Sequence, residues 1–333
     1  MIVVLTGGTG GAKFVQGVVQ VVPAAEVTAI VNTGDDLTWW GLHVSPDLDS
    51  ITYALAGLLS RERGWGVEGD TFECLERMRR FGAPAWFQLG DRDLATHLRR
   101  TQLLAAGRTL TEATAQIARA LGVTARILPM SDNVVETRVL TGKGELTFQE
   151  YFVRERYRVA AHGVRFQGAD RAQPAAGVLA AIRDAKAVLI APSNPVTSIG
   201  PILAVPGIRE ALRQTRAPVV AVSPIVGHTA VSGPAGELMK TQRLPVSMAG
   251  VAQAYSDFLD VLVADQRDAS QAPEVERLGA RVVLADTIMS SRAAKAELAR
   301  VVVMAAMGVK RRLKRRFHTK DTKGTQRSIR GSL

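Results

Sequence analysis

The chain has 333 residues, 47% of them hydrophobic and 22% charged, enough to bury a large core as one α/β unit or two closely joined ones. Its formal charge of +11 is uneven: residues 310–333 hold ten Lys or Arg against one Asp, nine of the eleven net charges, so the remainder is close to neutral and is no general polyanion binder. A single cysteine, Cys74, excludes an internal disulfide and a thiolate metal cluster; no apolar run reaches the roughly 20 residues that span a bilayer, and nothing has the form of a signal peptide, which together point to the cytoplasm.

Ile2, Val3, Val4 and Leu5 predict a buried strand, and Val15, Val18, Val19 and Val22 recur at helical spacing after it. Between them lie Thr6, Gly7, Gly8, Thr9, Gly10 and Gly11. A strand, a glycine loop and a helix in this order suit phosphate, because glycines let the backbone approach an anion and the first helical amides point at it. Lys13 can add a full charge. The spacing is not that of a P-loop, and it fits the dinucleotide fingerprint only loosely, since Glu26 falls before the second strand. A tight strand-to-helix turn in an ordinary α/β protein is the plainer reading of the same residues.

Val27 to Val31 predicts a second buried strand, followed by Asn32, Thr33, Gly34, Asp35 and Asp36. At the carboxyl end of a parallel strand this loop belongs beside the first one. Adjacent carboxylates repel a phosphate unless a hard divalent cation such as Mg²⁺ lies between them; alternatively Asp35 caps the next helix and Asp36 bonds a ribose. Ser45 and Pro46 open a helix that carries Asp47 and Asp49 in its first turn, more carboxylates than capping requires. Residues 71–128 read as helical, with Leu75, Met78 and Phe81 on one stripe. Within them Trp86 and Phe87 offer flat rings, and Arg92 and His97 follow at a helix start; the alternative is a capped surface helix.

Ala125 to Leu128 predicts a strand, and Val134 to Leu140 with Leu146 to Val153 an antiparallel hairpin around Gly142 and Gly144. Val188 to Ala191 is a further buried strand ending in a loop with Ser193 and Asn194, whose hydroxyl and amide suit a phosphate or a purine edge. Pro218 to Ser223, Phe258 to Val263 and Ala280 to Leu284 predict the last strands, and Ala293 to Met307 the last helix. Asp257, Asp260, Asp265 and Asp268 read as surface acids. The basic segment from Lys310 reads as a disordered extension.

Six of these stretches taken together, Gly7 to Lys13, Asn32 to Asp36, Ser45 to Asp49, Leu89 to His97, Gln149 to Arg154 and Ala191 to Pro201, resemble the 2-phospho-L-lactate transferases of coenzyme F420 biosynthesis. The resemblance runs over residues 1–309 and leaves 310–333 outside it. It implies an α/β, Rossmann-like, mostly parallel sheet with helices on both faces, a helical insertion at about 60–125 and a small antiparallel excursion, often as a homodimer. It also implies Mg²⁺-dependent transfer of a phospholactyl or phosphoenolpyruvyl group from a guanosine-diphosphate-linked donor to the ribityl hydroxyl of the deazaflavin Fo, giving F420-0 or its dehydro form and GMP.

On that resemblance Gly7, Gly8, Thr9, Gly10, Gly11, Lys13, Ser193 and Asn194 hold the nucleotide, Asp36, Asp47 and Asp49 carry the metal, Asp36 and Asp49 are catalytic, and Asp49 with Arg92 contacts the deazaflavin. No specific nucleic acid and no membrane span are expected. The competing reading is a non-enzymatic relative of the same fold that binds nucleotide sugars. Such proteins usually continue from the glycine loop into a different Asp-Asp-Gly-Gly segment, whereas here Asp36 is followed by Leu37, Thr38, Trp39 and Trp40.

Overall fold

The computed structural model describes residues 1–309. Seven strands form one parallel sheet. β1 (Ile2–Thr6) pairs with β2 (Val27–Val31), strand Arg126–Pro129 flanks β2, and strands Ala187–Ile190, Val219–Val222, Val261–Asp265 and Arg281–Ala285 follow in turn from the other side of β1. β1, β2 and the strands 187–190, 219–222 and 261–265 are buried at every residue, which is why they read as near-continuous apolar runs, interrupted only by Thr6, Thr28 and Asp265, rather than as alternating ones.

Alternate side chains feed two cores. Val3 and Leu5 pack with Ile182, Ile202 and Leu238 on one face, while Ile2 and Val4 pack on the other with Phe14 and Val18 of α1 (Gly8–Val21) and with Leu298 and Val302 of helix Arg292–Met307. Helices therefore cover both faces, as an all-parallel sheet requires.

The chain runs outward from β1 through β2 to 126–129 and then returns to the opposite side of β1 at 187–190. This reversal is the topological switch point, and ligands of such sheets bind outside the carboxyl ends of the strands there. Between β2 and 126–129 lie α2 (Pro46–Ala56), α3 (Glu73–Arg80), α4 (Asp91–Ala105) and α5 (Leu110–Ala120). α5 begins with a capping box: Thr109 Oγ1 accepts the Glu112 amide at 3.1 Å and the Thr109 amide donates to Glu112 Oε2 at 3.0 Å.

Several elements differ from the sequence reading. The antiparallel excursion has three strands, Gly144–Thr147, Glu136–Thr141 and Ala161–Gln167, and the arm expected to run on to Val153 stops at Thr147. Glu150 accepts the Thr147 amide at 2.9 Å and opens a π-helical turn, Glu150–Arg154. A short hairpin, Leu37–Trp39 with Leu42–Val44, was not foreseen; Trp40 and Gly41 both take positive φ at its turn, 51° and 79°. Phe81, placed on an apolar stripe, is exposed just past α3.

Asp265 and Asp268, read as surface acids, are buried. Asp265 accepts from Arg267 Nε at 2.6 Å and from Thr287 Oγ1 at 3.0 Å, and these bonds, the arginine's first, hold it far below the usual carboxylate range. The basic segment from Lys310 lies outside the described residues. Among those described, no helix is long and apolar enough to cross a membrane.

Candidate functional site

β1 ends at Thr6 and α1 begins two residues later, so the glycine loop is a turn with no slack. Gly8 sits at φ 68°, where an L side chain is strained, and a Cβ on Gly10 would lie 2.7 Å from the Pro192 carbonyl oxygen. That near contact joins the loop to the one after strand 187–190. Ser193 Oγ completes the join by donating to the Gly7 carbonyl at 2.7 Å. The two glycine and serine stretches singled out in the sequence thus form one wall.

The end of β2 supplies the next layer. Asn32 Nδ2 donates to Asp47 Oδ2 at 2.9 Å and to the Thr197 carbonyl at 3.3 Å, and Asp47 Oδ1 accepts the Gly8 amide at 2.8 Å. Asp47, in the first turn of α2, is thereby drawn against the glycine loop. Burial pushes its carboxyl up to about 6, against the Asn32 and Gly8 hydrogen bonds. Asp35 is pushed up too, by burial and then by the charge of Asp47, and its Oδ1 has no hydrogen-bond partner. Two buried carboxylates that repel each other and leave an oxygen unsatisfied are a donor set suited to a hard divalent cation, so these residues fit Mg²⁺.

Asp36 points elsewhere. Its Oδ1 accepts from Ser45 Oγ at 2.6 Å and its Oδ2 lies 3.0 Å from His43 Nε2, which ties the 37–44 hairpin to the start of α2. It does not line the cavity described below. Arg92 does not reach it either: its guanidinium donates to the Glu68 carbonyl at 3.0 Å, and its amide, with those of Thr71 and Asp93, donates to Asp70, which caps α4.

Asp49 faces the cavity from α2 and is held from behind by Arg100 of α4. Arg100 Nη2 pairs with Asp49 Oδ1 and Nη1 donates to Oδ2 at 3.1 Å. His97 Nδ1 lies 3.5 Å from Asp49 Oδ2 and its Nε2 3.3 Å from Asp93 Oδ1, to which the Tyr53 hydroxyl donates at 2.6 Å. Against the upward push of burial, the bonds from His97 and Tyr53 hold Asp93 below the ordinary carboxylate range. Asp49, Asp93 and His97 each present a ligand atom within 4.8 Å of the others, a group that could hold a metal ion, but Arg100 already engages both oxygens of Asp49. Arg100 thus already neutralises Asp49, whereas Asp35 and Asp47 form no ion pair among the described residues, so a cation fits better there.

These walls enclose a cavity of about 700 Å³, within the range of small-molecule sites. Gly7, Gly8, Thr9, Gly10, Lys13, Asp47, Asp49, Ser193 and Asn194, all named from the sequence, line it; Gly11, Asp36 and Arg92 do not. Gly11 is buried beneath the loop. Asn194 Oδ1 accepts the Val196 amide at 2.9 Å and so braces its own loop. The lining also carries aromatic rings, those of Trp65, Trp86, Phe87, Phe148 and Phe152. Trp86 is set by an edge contact with Trp39, ring centres 4.7 Å apart, and by the Arg154 guanidinium 5.7 Å from its own.

Asn32, Tyr53 and Arg100 were missed in the sequence. The signal for Arg100 was present: Asp93, His97 and Arg100 are spaced along one face of α4, and a run of ionisable groups on a helix face that also carries apolar residues marks a buried polar network.

A family model described as 2-phospho-L-lactate transferase CofD matches residues 2–306. The 2-phospho-L-lactate transferase of Methanosarcina acetivorans is 46% identical over 301 residues, 90% of this chain and 97% of that protein. The phosphoenolpyruvate transferase of Streptomyces griseus is 45% identical over 305 residues, covering 90% and 96% of the two chains. Among solved structures, a member of the UPF0052 family from Bacillus halodurans superposes with a TM-score of 0.61 over 91% of this chain and 98% of that one, at 17% identity, which is a likeness of fold. Matched along nearly its whole described length, the chain belongs to the 2-phospho-L-lactate transferase CofD family, transferases of coenzyme F420 biosynthesis.

Proposed function

We infer that this chain moves a phospholactyl or phosphoenolpyruvyl group from a guanosine-diphosphate-linked donor to the ribityl hydroxyl of the deazaflavin Fo. The observation that carries the reading is that one cavity joins a glycine loop and Lys13, a pair of mutually repelling buried carboxylates, and an aromatic wall. The first suits a diphosphate, the second a divalent ion and the third a flat heterocycle. Relatives bearing either name, lactate or phosphoenolpyruvate, stand at nearly equal identity, so both acids remain within the reading.

Lys13 and the amides at the start of α1 take the donor's phosphates, with Ser193 holding the loop shape beneath them. Asp35 and Asp47 would hold Mg²⁺, which when bound neutralises charge on the diphosphate. Asp49 orients the incoming hydroxyl and accepts its proton as the hydroxyl oxygen bonds to phosphorus and the bond from phosphorus to the GMP oxygen breaks. Little covalent help is needed from the protein; holding nucleophile and leaving group in line supplies most of the rate. Arg92, held at Glu68, lies outside the cavity wall, so acceptor binding rests on Asp49 and the rings.

The test is to incubate the purified chain and Mg²⁺ with Fo and, separately, freshly made guanosine-linked phospholactyl, phosphoenolpyruvyl and phosphoglyceryl donors. A product heavier than Fo by one phospho-acid unit, with GMP released, establishes the reaction and identifies the acid. No product from any donor, with tight binding of a UDP-sugar instead, would replace it with the nucleotide-sugar-binding role.

A further inference from the structure

Arg100 is 2% exposed, the largest fully buried side chain among the described residues, and it does not line the cavity. It sits one layer back on α4 and grips the cavity-facing carboxylate of Asp49 with both ends of its guanidinium fork. A charge sealed from water at this depth loses hydration that its partner's attraction scarcely restores, and apolar residues of similar volume usually stabilise a core as well or better. Fold stability is thus a poor reason for it.

The surroundings point the same way. Arg100 Nη1 also lies 3.4 Å from the His43 carbonyl and 3.4 Å from His97 Nδ1, so the guanidinium is fixed from three elements: the 37–44 hairpin, α2 and α4. His97, 1% exposed, lies against Asp49 and Asp93. The plane of the fork sets the plane of the Asp49 carboxylate, since bidentate pairing is directional where a lysine's point charge is not.

Resting on the reaction proposed above, we propose that Arg100 is a positioning residue for the acceptor step: it locks Asp49 in the orientation that aims its remaining lone pairs at the incoming hydroxyl. It takes no part in holding the donor, since its hydrogen bonds go to His43, Asp49 and His97 and none to the glycine loop or Ser193.

The experiment is a double-mutant cycle with Asp49→Asn, Arg100→Met, Arg100→Lys and the two combinations, reading kcat, the KM of each substrate and the melting profile. Arg100→Met is expected to lower kcat by about 100-fold, the scale of a misplaced reacting group. Arg100→Lys, which keeps the charge but loses the fork, should fall at least about 10-fold, with donor KM unchanged in both. In the Asp49→Asn background neither change should cost more than about 3-fold further, because residues that act as a unit are not additive.

Arg100→Lys carries the test if Arg100→Met does not fold. Wild-type turnover in Arg100→Lys, losses that multiply with that of Asp49→Asn, or a loss confined to donor KM would each overturn the role of Arg100 while leaving the reaction standing. A wild-type chain that makes no product overturns the reaction, and this role with it.

Discussion

Asp47 accepts one amide from the glycine loop and one from Asn32, yet burial still holds its carboxyl near 6. The proton count follows from that. An acid whose pKa rises on folding favours the folded state at low pH and loses that contribution as the pH climbs through the folded value. Without metal, the Asp35 and Asp47 pair should weaken the fold as pH rises from the ordinary carboxylate range to about 6 and beyond. A divalent ion needs the deprotonated form, so it should reverse that loss above about 6 and do little below it.

The expected outcome is a Mg²⁺-induced rise in Tm that is full near neutral pH and gone about two units lower, read by thermal melts across pH with and without the ion. Asp47→Asn should abolish the rise at every pH. It should also lower turnover by at least about 100-fold, the usual loss when one preorganised electrostatic group is removed.

The elements around the site are held by devices that can be tested apart from the chemistry. α5 is closed by the Thr109 and Glu112 capping box and lies away from the cavity wall. Thr109→Ala should cost about 1 kcal/mol in urea unfolding and leave kcat and KM at wild-type values. α4 is different, because its cap, Asp70, and its buried face carry the network behind Asp49. Asp70→Ala should therefore lower both stability, by a similar amount or more, and turnover, which the same unfolding and rate measurements would separate from the Thr109→Ala case.

Across the whole molecule the net charge is concentrated beyond residue 309, whereas the family match ends at 306. A chain ending at Val309 should fold and turn over like the full one. It should leave a polyanion column at markedly lower salt, since about nine fewer positive charges release fewer counterions. Loss of turnover on truncation would give the basic segment a part in the reaction.

Much was legible in the sequence because its cause is local. Ile2 to Leu5 and Val219 to Val222 declare buried parallel strands by being apolar at every position, Val27 to Val31 does so with only Thr28 interrupting, and Gly7 to Lys13 declares a loop open to phosphate because glycine tolerates the positive φ and close approach found there. The resemblance of six stretches named the family for the same reason, as each is a short local pattern.

What tertiary structure alone decided is how the carboxylates divide. Asp35, Asp36, Asp47 and Asp49 lie within fifteen residues, and nothing in their spacing says that Asp35 and Asp47 meet at the cavity, that Asp36 turns to Ser45 and His43, or that Asp49 is gripped by Arg100 from 51 residues away. A carboxylate's role follows from the cation or donor that faces it, and in a sheet with crossovers that partner is brought in by packing from a distant element.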